Sequence, residues 1–151
     1  MENQNNIPFP QANDFTKILA IIELESIDDV KNPTKLCEMF SVARRQVDYY
    51  VSACQFLGIL DRKKNFTELG FRLREENFNY KRVLLAKAII SAPIFGEVFI
   101  MNYFTNKKMN VNEIAEIIHD RVDLPKIGVC KRRASTVISW LNWIDENKEF
   151  F

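Results

Sequence analysis

The fold is decided by residues 43–57, ARRQVDYYVSACQFL, in which apolar side chains recur at helical spacing. This spacing places them in one stripe along an amphipathic helix, and Gly58 follows as a typical helix stop. A helix with such a stripe packs against other helices, so the flanking elements determine the architecture. The stripe consists of Ala43, Val47, Tyr50, Val51, Cys54 and Leu57.

Two shorter helices are predicted before this one. Asp14 is a typical N-cap residue and predicts a first helix that reaches about residue 25. Asn32 followed by Pro33 predicts a second helix over residues 33–40, because proline has no N–H to lose and its φ is already helical. A two-residue interruption then separates this helix from residues 43–57. Two helices around a tight turn predict a helix-turn-helix.

After Gly58 the pattern becomes extended. The segments 59–60 and 66–67 flank a polar turn, Asp61–Asn65, and residues 68–76 return to helical spacing. Two short extended segments around a polar turn predict a small β-hairpin. A hairpin after a helix-turn-helix is the wing of a winged-helix unit.

The second half repeats this plan without a second wing. Helices are predicted over residues 80–92, 93–106, 113–119 and 131–144, with Asn112 as the cap of the third. In the last helix Trp140 is expected in the core and Trp143 as a partly exposed cap of that core. We therefore expect a mostly α (α+β) fold of tandem winged helix-turn-helix units, residues 1–78 and 79–151, with one small β-hairpin wing.

Two motifs resemble a known family. The string VDYYVSACQFLGIL (47–60), followed by FTELGFRLRE (66–75), resembles the recognition helix and wing of winged-helix modules associated with bacterial restriction endonucleases. RRASTVISWLNWI (132–144) resembles the last helix of the same modules. In that family such modules contact target DNA, and a separate metal-dependent nuclease domain cuts it. The resemblance implies DNA recognition by either a stand-alone relative or the recognition part of a longer enzyme, since this chain has no room for a nuclease domain.

The charge balance limits how nucleic acid could bind. The net charge is only +1, so binding must rely on local basic clusters rather than on an overall positive field. Such clusters occur at Arg44-Arg45, Arg62-Lys63-Lys64, Lys107-Lys108 and Lys131-Arg132-Arg133.

The helix over residues 43–57 carries the first candidate DNA-reading surface. Arginine can contact guanine through two hydrogen bonds and glutamine can contact adenine in the same way, so its polar face suits a major groove. The Asp48 carboxylate on that face would repel DNA phosphates. The alternative interpretation is an ordinary solvated helix face. The candidate DNA-binding residues are Arg44, Arg45, Gln46, Tyr49 and Ser52.

Two further groups are predicted to contact DNA. The turn residues Arg62, Lys63 and Lys64 are candidates for phosphate contacts, although lysines also serve as solubilising turn residues. The last helix should present its polar side opposite Val137 and Leu141. Its candidate residues are Lys131, Arg132, Arg133, Ser135, Thr136 and Ser139.

No catalytic, metal or cofactor site is predicted. The chain has one histidine and three cysteines without CxxC spacing, and its four glycines form no phosphate-binding loop. The triplet Glu146-Asn147-Lys148 fits the Glu-x-Lys element of some nucleases, but no partner motif accompanies it.

These patterns predict a non-catalytic double-stranded DNA recognition module, the target-recognition part of a restriction-modification system. The alternatives are a protein-interaction or dimerisation module and a stand-alone transcriptional regulator. Double-stranded DNA is the expected partner, and a nuclease domain or subunit and a homodimer are also allowed. No membrane partner is expected because the apolar stretches are short, and the three cysteines favour a cytoplasmic location.

Overall fold

The computed structural model describes residues 8–122 and 127–150 of the 151-residue chain. Contacts divide the chain into two compact units, and the division falls between Asn77 and Phe78. Within the described residues the regular structure is entirely helical, with eight α-helices and two short 3₁₀ helices. The mostly α prediction is confirmed, whereas the β component is not.

The first unit begins its helices where local signals predict them. The Asp14 carboxylate accepts a hydrogen bond from the Thr16 N–H at 3.0 Å, and Asn32 caps the next α-helix through the Lys35 N–H at 3.2 Å. Both predicted caps are confirmed. The elements are α1 (Phe15–Ile22), a 3₁₀ helix (Ile27–Lys31), α2 (Pro33–Phe40), α3 (Arg44–Phe56) and α4 (Glu68–Glu75).

A tight connection joins α2 to α3. Ser41 has a left-handed backbone with φ of 53° and ends α2, so only Val42 and Ala43 separate it from α3. So short a connection brings the two helices into contact, with Leu36 and Val47 buried. This pairing fixes which face of α3 remains outside.

The predicted hairpin wing is wrong. Between α3 and α4, Leu60 and Phe66 form an isolated antiparallel bridge, and no strand occurs in the described part of the chain. The physical reason is the next helix: the Thr67 hydroxyl accepts from the Gly70 N–H at 3.1 Å and caps α4 immediately after the bridge. No residues are left over to extend the pairing into a ladder. The architecture is therefore helical units without a wing.

The second unit is built around an aromatic stack. The Trp140 and Phe95 rings lie 4.9 Å apart between centroids with an interplanar angle of 26°, and both side chains are fully buried. The core position predicted for Trp140 is confirmed, whereas Trp143 is buried rather than partly exposed. The elements are α5 (Phe78–Ser91), α6 (Pro93–Thr105), α7 (Val111–Arg121), α8 (Ile127–Asn147) and a 3₁₀ helix (Lys148–Phe150).

Several helix boundaries in this unit differ from the sequence prediction, and two of the helix starts are instructive. Asn110, not Asn112, caps α7: its side chain accepts from the Glu113 N–H, and the Glu113 carboxylate accepts from the Asn110 N–H. This reciprocal pair is a capping box, which fixes the helix start two residues earlier. The last helix begins at Ile127 rather than at residue 131, and residues 123–126 before it lie outside the described residues.

Candidate nucleic-acid interface

Three polar side chains stand together at the start of α3. Arg44, Arg45 and Gln46 are its first three residues and all are exposed. They lie off the buried stripe because Val47 and the residues one and two turns later face the core. The predicted exposure of this group is confirmed, which makes it the best-defined basic surface of the first unit.

Both arginines are held along the helix by the residue one turn later. Arg44 Nε donates to Asp48 Oδ1 at 3.2 Å, and Arg45 Nε donates to the Tyr49 hydroxyl at 2.6 Å. The Arg45 guanidinium carbon also lies 5.6 Å from the Tyr49 ring centroid. Each hydrogen bond engages Nε, so it does not use the two Nη groups that could contact a guanine or a phosphate.

The backbone at this end of α3 adds partial positive charge. Among the described residues, no side chain caps the helix at Ala43, so the first-turn N–H groups have no side-chain acceptor there. The macrodipole of a 13-residue helix also favours an anion at its N-terminus. Arginine side chains and helix dipole therefore act in the same direction here.

Ser52 and Tyr49 lie beside a segment that sequence reasoning did not connect with α3. Together with Asp48 they line a cleft of about 210 Å³ whose opposite wall is the segment 8–11, PFPQ. Three residues after this segment, the Asp14 N–H donates to the Tyr50 hydroxyl at 3.0 Å and ties the chain to α3. No local periodicity indicates such a long-range contact. Ser52 therefore belongs to this cleft, two turns away from the arginines.

The basic turn lies at the opposite end of α3. Gln55 Nε2 donates to the backbone oxygens of Asp61 and Arg62 at 3.1 and 3.3 Å, which attaches the turn to the last helical turn. Gln55 is ten or more residues beyond the two arginines, so roughly 15 Å of helix separates the two basic groups. The structure therefore does not bring them into one cluster.

An aspartate organises this turn. The Asp61 carboxylate accepts from the Lys63 and Asn65 N–H groups at 2.8 and 2.9 Å, and the bond from Asn65 is the largest cause of its lowered pKa. Lys64 occupies the left-handed region with φ of 65° and is half-buried. Arg62 and Lys63 are exposed. The turn is thus an ordered loop that displays two of its three basic side chains.

In the second unit the predicted polar face of α8 is only partly exposed. Lys131 and Arg132 are exposed, whereas Arg133, Ser135 and Ser139 are half-buried. Thr136 is fully buried, which corrects its assignment to the outer face. It lies one turn before Trp140 and therefore shares the buried side of that residue. The exposed basic surface of α8 consists of its Lys131-Arg132 pair.

The described residues contain neither a cluster of metal-binding side chains nor a single helix that could cross a membrane. No group of three or more His, Cys, Asp or Glu side chains lies close enough to hold a metal ion in the described part of the chain. Within the same residues no single helix has the length and apolar character to cross a bilayer. The segments α5 and α6 meet those criteria only as a pair, bent by 100°.

Comparison with models of protein families gives a match over most of the chain. The model of a domain of unknown function, DUF7226, matches residues 17–149. No curated protein and no solved structure matches the chain.

Proposed function

Because the chain belongs to the DUF7226 family, a domain of unknown function, we propose its role from its own surface: it is a double-stranded DNA recognition module. The proposed module performs no chemistry itself. The observation that carries the proposal is the start of α3, where Arg44, Arg45 and Gln46 are exposed side by side.

The arrangement of these side chains suits a major groove. An exposed helix end with two arginines and a glutamine presents the residue types that distinguish guanine and adenine at their groove edges. The bonds from Arg44 to Asp48 and from Arg45 to Tyr49 reduce the number of rotamers that must be frozen on binding. Asp48 reduces the net positive charge of this face, so the proposal assigns most of its affinity to direct contacts rather than to a diffuse positive field.

The basic turn supports the same proposal in a different role. Arg62 and Lys63 are exposed at the far end of α3, at a spacing of roughly 15 Å from the arginines. A basic pair at that distance fits phosphates that flank a groove about 12 Å wide. We assign these side chains to phosphate contacts, which fix the position of the protein on DNA without reading sequence.

The second unit contributes a smaller basic surface to the proposal. Lys131 and Arg132, in the first two turns of α8, are assigned to phosphate contacts as well. The half-buried Arg133, Ser135 and Ser139 remain candidates for contacts in a closely fitting complex. Thr136 is excluded by its burial.

The biological setting is part of the proposal. The resemblance of residues 47–60, 66–75 and 132–144 to restriction-associated modules supports a place in a restriction-modification system, with a nuclease domain or subunit as partner. A stand-alone transcriptional regulator would use the same DNA-binding surface. The three cysteines are present as thiols, which supports the proposed cytoplasmic location.

The test is a titration of fluorescently labelled duplexes with the full chain at several salt concentrations, in which binding is measured by fluorescence anisotropy. If the proposal is correct, affinity falls steeply with salt because phosphate contacts release counterions. On a preferred sequence selected from random duplexes, Arg44→Ala with Arg45→Ala should cost about 1 to 3 kcal/mol for each lost bidentate contact. A folded double mutant that binds like wild type would remove α3 from the proposal.

Two comparison variants separate recognition of the DNA sequence from general electrostatic attraction to DNA. Arg72→Ala with Lys87→Ala removes the same charge from exposed positions outside the proposed surface, and should leave sequence preference unchanged. Arg62→Gln with Lys63→Gln should weaken all sequences about equally and flatten the salt dependence. Lys64 is left in place because its left-handed backbone would complicate the interpretation.

A further inference from the structure

The exposed end of α6 is unusual for this chain. Ile100 and Met101 are 51% and 40% exposed, and Tyr103 and Phe104 are 75% and 79% exposed. They follow the segment of α6 whose Ile94, Phe95 and Val98 are buried. We call Ile100, Met101, Tyr103 and Phe104 the α6 patch. A helix that is apolar on all sides is normally covered on all sides, and this one is not.

The patch is a formed surface rather than scattered side chains. Ile100 and Tyr103, and likewise Ile100 and Phe104, are three or four residues apart, so the patch residues share one broad side of α6. The Tyr103 and Phe104 rings contact each other edge to face, with centroids 5.5 Å apart and planes at 87°. Single exposed apolar residues need no explanation, whereas a contiguous group with two aromatic rings marks an interaction site.

Most of the charged side chains near the patch already have an oppositely charged partner in the same unit. Glu97, one turn earlier on α6, forms an ion pair with Arg121 of the same unit. Lys108, just beyond α6, lies 3.2 Å from Asp145 and also donates to Asn142 at 3.1 Å. Lys107 adds one exposed positive charge. Attraction to an anionic bilayer normally needs several uncompensated basic residues beside the apolar face, whereas two of the three described here already pair with a carboxylate.

From these observations we infer that the α6 patch is a self-association surface through which two copies of this chain pair. A surface without ionised groups, whose neighbouring charges are largely compensated within the same copy, meets an identical surface without like-charge repulsion. Pairing of the same patch on both copies closes a two-fold dimer. The edge-to-face aromatic pair can pack against its counterpart in the same geometry that it adopts internally.

The area of the patch sets the strength of this pairing. Given about 150–250 Å² for each aromatic side chain, the exposed fractions correspond to roughly 400–500 Å² of surface. Two fully covered patches would bury at most roughly 900 Å² in total, just below the value of about 1,000 Å² that stable biological interfaces exceed. The dimer is therefore weak and depends on protein concentration.

The experiment is sedimentation equilibrium of the full chain without DNA, from low micromolar to the highest soluble concentration. Wild type should move from the mass of one chain towards that of two. Tyr103→Gln with Phe104→Gln should raise the dissociation constant roughly tenfold or more. Ile100→Lys, which places like charges opposite each other, should do the same. The matched control is Met39→Gln, an apolar residue of α2 that is 50% exposed, and it should associate like wild type.

Two outcomes of the sedimentation experiment would overturn the self-association of the α6 patch. A wild type that is monomeric at every concentration overturns the inference, as does a dimer unaffected by both patch variants. Circular dichroism establishes that the variants are folded. If either the Tyr103→Gln, Phe104→Gln variant or the Ile100→Lys variant fails to fold, the other still tests the inference. Flotation of monomeric wild type with anionic vesicles, lost in Tyr103→Gln with Phe104→Gln, would assign the patch to a membrane instead. Because DNA is absent, the result is independent of the DNA-binding proposal.

Discussion

Replacement of Trp140 by alanine should destabilise the second unit strongly. The side chain is fully buried and stacks on Phe95 at 4.9 Å. A buried tryptophan removes roughly 200 Å² from water, worth about 5 kcal/mol at 25 cal/mol per Å², of which alanine keeps a small part. Large aromatic-to-alanine changes in cores cost about 3 to 5 kcal/mol. We expect the upper half of that range because the aromatic stack is lost as well.

Urea unfolding measures the change in unfolding free energy, and thermal unfolding measures the change in melting temperature. The chain has two tryptophans, both in α8, so the emission of the remaining Trp143 reports the second unit directly. A loss of about 4 kcal/mol should lower the melting temperature of a unit of this size by roughly 15 to 30 °C. Trp140→Phe keeps a ring against Phe95 and should lose much less.

A surface variant on the same helix supplies the control. Lys131→Ala with Arg132→Ala changes two exposed side chains of α8 and should leave the unfolding free energy within about 0.5 kcal/mol of wild type. If Trp140→Ala loses less than about 1 kcal/mol, the stack does not hold the second unit together and the reasoning is wrong.

Two further predictions concern close packing and thiol access. Gly70→Ala should destabilise the first unit by roughly 1 to 3 kcal/mol, since the added Cβ would lie 2.3 Å from the Ile59 carbonyl oxygen. Gly128→Ala in α8 meets no atom of the described residues within 4 Å and should stabilise slightly through helix propensity; equal melting temperatures for both variants would contradict the steric argument. In native protein a thiol reagent should modify the half-buried Cys37 first, because the other two cysteines are fully buried, and simultaneous reaction of all three would disprove that order.

Helices with strong local signals were predictable from the sequence. The Asn32-Pro33 pair locates α2 at residues 33–40 as observed, and Gly58 ends α3 with φ of 79°. The start of α7 shows the limit. Asn110 and Asn112 are both acceptable caps, and the deciding signal is the glutamate three residues after Asn110, a relation that a search for single cap residues overlooks.

The hairpin prediction failed for a different reason. Two extended dipeptides around a polar turn have the pattern of a hairpin, but the pattern does not count the residues available for a ladder. Thr67 is required as the cap of α4, so the pairing stops at the Leu60 and Phe66 bridge. The competition between a strand and the next helix is decided here by the helix cap at Thr67, which the pattern of a hairpin does not take into account.

The candidate interface was predictable only where one helix determines it. The buried stripe of α3 implies the exposure of Arg44 and Arg45, and the structure agrees. Thr136 is a counterexample, because a threonine between the polar and apolar sides is compatible with either. The segment Pro8–Gln11 beside α3 has no periodicity that could reveal its partner. The uncovered side of α6 was equally hidden, since apolar residues on every side do not indicate which side packs.

The ordered turn Asp61–Asn65 has a thermodynamic consequence for any ligand that it binds. Flexible loops lose about 1 to 2 kcal/mol of backbone entropy for each residue that becomes fixed. Here the Asp61 carboxylate and the Gln55 amide already restrict the backbone before a ligand arrives. Contacts made by Arg62 and Lys63 therefore avoid most of the cost of ordering the loop backbone, and what remains is the ordering and desolvation of the side chains together with the general cost of association.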